Sequence, residues 1–236
     1  DIGDGQTIRQ RNVFENHSLF NANLEDEASE KNDLLIQEAI FLAFTKKGPV
    51  HINTPFEEPL YNLIKKPTYL AQITNKFIRK AEPWIQSFDA KIIQNASKIV
   101  VLVGSQNPNI IEQYYIDYMA SLPNVVILTE INSNLHHPQI VANIDTLIST
   151  FSEDDFKNFT PDLLITFGGM IVSKRVKAMF RTYKPKHHWH VDELRAYDTF
   201  SSLTSHIKTT PNIFIKHFKE VYELNNSNFA FDIHHI

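Results

Sequence analysis

The chain has 236 residues, 42% of them hydrophobic and 21% charged, and a net charge of −4. This is enough apolar material for one to two domains with a sizeable core, and too little positive charge for a nucleic-acid binder. Cysteine is absent, which excludes a disulfide framework, a thiolate metal site and a cysteine nucleophile, and the chain has no apolar run of about 18 residues, the length that spans a membrane.

In chain order, residues 1–29 read as polar and irregular, with Gly3, Gly5 and the acidic run Glu25-Asp26-Glu27. Over 31–46, Leu34, Leu35, Ala39, Ile40, Leu42 and Ala43 recur at three- and four-residue steps, which predicts a helix. Lys46-Lys47-Gly48 ends it, since cations suit the negative end of the helix dipole and glycine suits the cap. Pro49 to Asn53 predicts a short buried strand, stopped at Thr54-Pro55. From Phe56 to Pro67 no period is visible and two prolines intervene, so this stretch reads as a crossing between domains.

The remainder alternates. A helix at about 85–96 leads into a strand over 98–103, then a helix over 109–121 and a strand over 124–128. A loop and a weak helix follow, then a strand over 162–167, a helix over 173–182, a strand over 187–191 and a last helix near 211–223. Continuously apolar strands alternating with helices argue an α/β fold, a Rossmann-like parallel sheet flanked by helices on both faces. The last dozen residues, with Asn225-Asn226 and His234-His235, read as a linker.

Several motifs invite a function. Gly104-Ser105-Gln106 sits between strand and helix, where α/β sheets bind ligands, but a dinucleotide fingerprint needs more glycines than this one, so a plain turn is the better reading. Gly168-Gly169 ends a strand, Ser173 is placed to cap the next helix, and Lys174-Arg175 opens it. Cations there oppose the dipole unless an anion is bound, in which case backbone N–H groups and both side chains converge on it. On spacing alone the pair reads as a solvated face, with Val176, Met179 and Phe180 inward. His188, His190 and Asp192 alternate on one strand face, short of a full zinc set. Gly3-Asp4-Gly5 imitates the start of a magnesium motif, but no strand precedes it and Asn32-Asp33 stands where Asn-Asn is needed. No catalytic residue and no metal ligand is expected within this chain.

Two stretches carry a family resemblance. Gly3-Asp4-Gly5-Gln6-Thr7-Ile8-Arg9-Gln10 resembles a G-x-x-Q-x-I-x-Q segment, and Gly48 to Tyr61 resembles the G-P-V-H-x-N-x-P-F-x-E-P-L segment that closes a pyrimidine-binding domain. Both are similar to the thiamine-diphosphate-dependent synthases of menaquinone biosynthesis, and a weaker likeness runs on through Gly169-x-x-x-x-Lys174-Arg175. The resemblance implies an internal piece of a three-domain chain. Residues 1–58 are the C-terminal part of the pyrimidine-binding domain, 59–80 a linker, 81–223 the central Rossmann-like domain, and 224–236 a linker toward a diphosphate-binding domain.

The resemblance also implies the reaction: 2-oxoglutarate is decarboxylated on thiamine diphosphate, and the resulting acyl anion equivalent adds to isochorismate. Thiamine diphosphate and Mg2+ (or Mn2+) belong to the whole enzyme, and this piece is expected to bind neither and to be inactive alone. Both substrates are carboxylates and need cations near the site. The resemblance therefore assigns Lys174 and Arg175 to substrate binding and Gln6 to the cofactor. Arg9 carries two readings, a substrate contact or a solvated residue beside a core Ile8. Small-molecule substrates, a homo-oligomer (dimer or tetramer), a cytoplasmic location, no nucleic acid and no membrane span complete the expectation. For 1–58 three outcomes stand open: poor order, packing on the central domain, or pairing with a second copy. The competing readings are a free-standing Rossmann-like nucleotide-binding module and a structural or allosteric one.

Overall fold

The computed structural model describes residues 8–56, 63, 65–73 and 88–232, with side chains described through residue 224. The chain divides into two compact units, residues 1–81 and 82–236.

In the first unit, β1 (Asn21–Asn23) and β2 (His51–Asn53) pair in parallel, Asn21 opposite His51. The connection between them is α1 (Glu30–Lys46). Ser29 caps α1 by accepting from the Asn32 amide, and Lys47, in the left-handed region at φ 48°, ends it. Asn32 is buried and folds the acidic run over the helix start: its Nδ2 donates to the Glu25 and Glu27 carbonyls and its Oδ1 accepts from the Glu25 amide. Residues 8–29 are therefore not wholly irregular. Asn-Ala-Asn has little strand preference of its own; β1 forms because it has β2 to pair with, and β2 has a strand partner within its own unit.

The second unit is built on a five-stranded sheet in the order β4-β3-β5-β6-β7, every pair parallel. The strands are β3 (Ile99–Val103), β4 (Val125–Thr129), β5 (Leu163–Phe167), β6 (His187–Val191) and β7 (Ser205–Ile207). On one face Ile99, Val101, Val103, Ile165 and Trp189 pack against Phe214 and Phe218 of α7 (Pro211–Asp232), together with residues of α2 (Ala90–Asn95) and α3 (Gln113–Ser121). On the other, Val100, Leu102 and Leu164 pack against residues of α4 (Ile144–Ser149) and α6 (Lys174–Thr182) and against Phe200. Alternate residues of β3 thus feed two separate cores, as a strand with helices on both faces must.

Three elements differ from the sequence reading. The weak helix is two helices, α4 and α5 (Glu153–Phe159), the second started by a Ser152–Asp155 capping box. β7 is a short polar strand that exists through its pairing with β6. α7 runs on to Asp232, so Asn225 and Asn226 continue a helix where a linker is expected.

Candidate functional site

The chain reverses its direction of winding between β3 and β5: β4 lies to one side of β3, and the later strands to the other. The carboxyl ends of β3 and β5 therefore flank the place where doubly wound sheets take ligands. Here that place is filled by backbone. The Gly104 amide donates to the Phe167 carbonyl at 2.9 Å, and the Gly169 amide to the Ser105 carbonyl at 2.6 Å. A Cβ on Gly104 would lie 2.1 Å from the Gly169 carbonyl oxygen. Gly168 holds φ +80°, which only glycine adopts cheaply. Gly104 is thus required for two loops to close on one another, which leaves no open cradle of amides for a nucleotide at this point.

The loop from Gly168 leads into α6. Lys174 and Arg175 are its first two residues and both are exposed. The Ser173 hydroxyl accepts from the Val176 amide at 3.1 Å, as a cap should, and donates to an Asp145 carboxylate oxygen. Among the described residues no salt bridge engages Lys174 or Arg175; Arg175 Nη1 reaches only the Asp145 carbonyl, at 3.5 Å. The amides just ahead of the helix, those of Val172 and Ser173, donate to the Glu130 carboxylate at 2.8 and 2.6 Å. Glu130 takes these two amides, and the side chains of Lys174 and Arg175 are exposed. A cleft of about 400 Å3, bordered by Glu130, Asn132, Asn143, Asp145 and Ser173, opens ahead of the helix start, and Arg175 borders a different cleft, of about 490 Å3, with Ile148, Phe156, Met179 and Tyr183.

The other sequence candidates fall elsewhere. Gln6 lies outside the described residues, as do Glu57 to Tyr61 of the second resemblance stretch. Arg9 is exposed in the first unit, and Ile8 beside it is 60% exposed, so Ile8 is not a core residue. The histidines of β6 serve the interior. His188 is 1% exposed, and the Thr166 hydroxyl lies 3.0 Å from its Nε2 and 2.8 Å from His190 Nδ1. Ser202 Oγ approaches His188 Nδ1 at 3.2 Å. Burial pushes His188 down to about 4, with His190 adding to the shift and Asp198 opposing it. Burial lowers His190 as well. Asp192 accepts from the Leu194 and Arg195 amides through one oxygen. Among the described residues no group of three His, Asp or Glu side chains is placed to hold a metal ion.

Glu130 and Asp145 are the residues that sequence reasoning passes over. The only local signal is that Glu130 directly follows a buried strand; nothing in its spacing links it to residue 172.

A five-stranded parallel sheet flanked by helices, with a glycine-closed switch point, is a Rossmann-like α/β layer. No family model matches the chain. It is 54% identical over 220 residues to the 2-succinyl-5-enolpyruvyl-6-hydroxy-3-cyclohexene-1-carboxylate synthase of Flavobacterium psychrophilum, an alignment covering 92% of this chain and 40% of the relative. Synthases of the same name from Flavobacterium johnsoniae and Christiangramia forsetii are 51% and 42% identical, over 92% and 86% of this chain and 40% of each relative. The chain is similar to these synthases over 86–92% of its own length and spans about 40% of the length of the curated relatives it matches.

Proposed function

We propose that this chain is the central layer, with part of the preceding pyrimidine-binding domain, of a thiamine-diphosphate-dependent synthase of menaquinone biosynthesis. The whole enzyme is a transferase that decarboxylates 2-oxoglutarate and joins the remaining four-carbon unit to isochorismate. Residues 1–58 belong to the pyrimidine-binding domain, 59–80 link it onward, and 81–223 form the central domain. The enzyme is a cytoplasmic homo-oligomer. Among the described residues no helix is long and apolar enough to cross a membrane.

The observation that carries the reading is the exposed Lys174-Arg175 pair at the carboxyl edge of the sheet, in a chain 54% identical to a synthase whose product is a carboxylate. Both substrates are acids. Arg175 offers a planar fork of donors to a carboxylate, and Lys174 a mobile point charge. Standing at the positive end of α6, both cations gain from an arriving anion. Gln6 lies on the cofactor side of the reaction, and Arg9 is a second contact for substrate.

Thiamine diphosphate, when bound, supplies the electron sink for decarboxylation. The described residues do not fit its diphosphate or its Mg2+ (or Mn2+): the switch-point crevice is filled by the Gly104 and Gly169 backbones, and Glu130 holds the amides ahead of α6. On this reading the diphosphate and the metal are held by other parts of the whole enzyme, Gln6 serves the organic part of the cofactor, and this chain alone is expected not to turn over 2-oxoglutarate. The closed crevice also disfavours a free-standing nucleotide-binding module.

The test separates the two half-reactions in the full-length gene product. Lys174→Ala and Arg175→Ala should each weaken isochorismate use by about 1.5–3 kcal/mol, the worth of a charge-assisted contact, and leave 2-oxoglutarate decarboxylation much less affected. Equal loss of both activities would point to misfolding and contradict the assignment.

A further inference from the structure

The start of α6 is an anion seat that the protein has filled itself. Glu130 leaves the end of β4, yet its carboxylate reaches past the neighbouring β3 to the loop after β5, where its two oxygens take the Val172 and Ser173 amides. Its own backbone is pinned: the Glu130 amide donates to Ser133 Oγ at 2.9 Å, and that hydroxyl, buried with its residue at 0% exposure, donates to the Val103 carbonyl at 2.6 Å. On the far side Asp145 of α4 accepts the Ser173 hydroxyl. The reach depends on Gly104, whose lack of a side chain lets the loop after β5 lie across the end of β3.

A helix cap alone does not call for this. Ser173 already satisfies the Val176 amide. Glu130 instead fixes the two residues ahead of the helix, and so the direction in which Lys174 and Arg175 leave it. Its charge also offsets the dipole that opposes two cations at this position. Amides at a helix start are an anion-binding group in their own right, and with Glu130 in place those of Val172 and Ser173 are not open to a ligand.

We propose that Glu130 is the positioning residue of the Lys174-Arg175 pair: it sets the helix start and excludes free anions from the amide seat, so that the substrate carboxylate is read by the two side chains. This rests on the reading of that pair as the substrate's anion receptor.

The full-length enzyme tests it through a gained property. Glu130→Ala opens two amides beside two cations, so inorganic sulfate becomes a competitive inhibitor against isochorismate, whereas the unaltered enzyme is insensitive to sulfate compared with chloride at equal ionic strength. Glu130→Gln keeps an acceptor oxygen but loses the charge, and serves if the alanine variant fails to fold. It should raise KM for isochorismate about tenfold, the low end for a charge-assisted contact, with kcat within about twofold. Sulfate insensitivity of Glu130→Ala with an unchanged KM in Glu130→Gln overturns the proposal, as does a loss of kcat that merely follows a lowered Tm. If Lys174→Ala and Arg175→Ala themselves leave the isochorismate KM unchanged, the receptor reading fails and takes the proposal with it. If those two raise KM while both Glu130 variants are silent, the positioning role alone fails.

Discussion

Both units of the chain contain a strand, a helix and a parallel strand, but they bury them to very different degrees. In the second unit all five residues of β3 are buried, and helices cover both faces of the sheet. In the first, Ala22, Asn32 and Ala39 are the buried residues among those described, and Ile40 and Phe44, one turn apart on α1, are 49% and 79% exposed. Parallel strands need cover on both faces to be stable. The edge that carries Lys174, Arg175 and Glu130 therefore stands on a dense core, while Arg9 stands on a unit whose described residues bury little. Precise positioning of a receptor needs the first kind of support.

Four measurements sharpen or break this contrast. Phe214 is fully buried against Trp189 and Phe218, so Phe214→Ala should cost about 4 kcal/mol of unfolding free energy in urea. Gly104→Ala should cost about 3 kcal/mol, since its Cβ meets a backbone carbonyl that has no room to move; the alanine variant should also loosen the loop that presents α6. A cost near zero would mean that the switch point is not closed as described.

The third is a pH effect. His188 has its pKa lowered from 6.5 to about 4, so its contribution is fully present above pH 6.5. As pH falls from 6.5 toward 4 the unfolded chain takes up a proton that the folded chain refuses, and up to about 3 kcal/mol is lost. His188→Gln should flatten that slope by the share of one proton, the His190 share remaining. Identical slopes in the two proteins would remove His188 from the account. The smallest effect belongs to the first unit: Phe44→Ala should change stability by less than about 0.5 kcal/mol, as for other exposed positions. A loss comparable with that of Phe214→Ala would mean that the stripe on α1 is covered in the working protein.

The sequence made the central sheet readable because its strands are unbroken apolar runs. Ile-Val-Val-Leu-Val and Leu-Leu-Ile-Thr-Phe admit little else, and the bounds expected for β6, at 187–191, are those observed. β1 and β7 were hidden because Asn-Ala-Asn and Ser-His-Ile become strands only through their partners. The break between α4 and α5 was hidden too, since the Ser152 box that starts the second helix lies within a polar stretch. At the site, adjacency made Lys174-Arg175 visible and family likeness gave the pair a role. Glu130 and Asp145 act across 43 and 28 residues of chain, and no local pattern encodes contacts made only when β4, α4 and α6 come together.

The central claim is that two cations at the start of α6 receive a substrate carboxylate while Glu130 holds the amides beside them. A crystal structure of the full-length enzyme with an unreactive isochorismate analogue tests it most directly. The account predicts a carboxylate of the analogue within about 4 Å of the Lys174 or Arg175 side-chain nitrogens, with the Val172 and Ser173 amides still on Glu130. An analogue bound far from α6, with both cations facing bulk water, would contradict it.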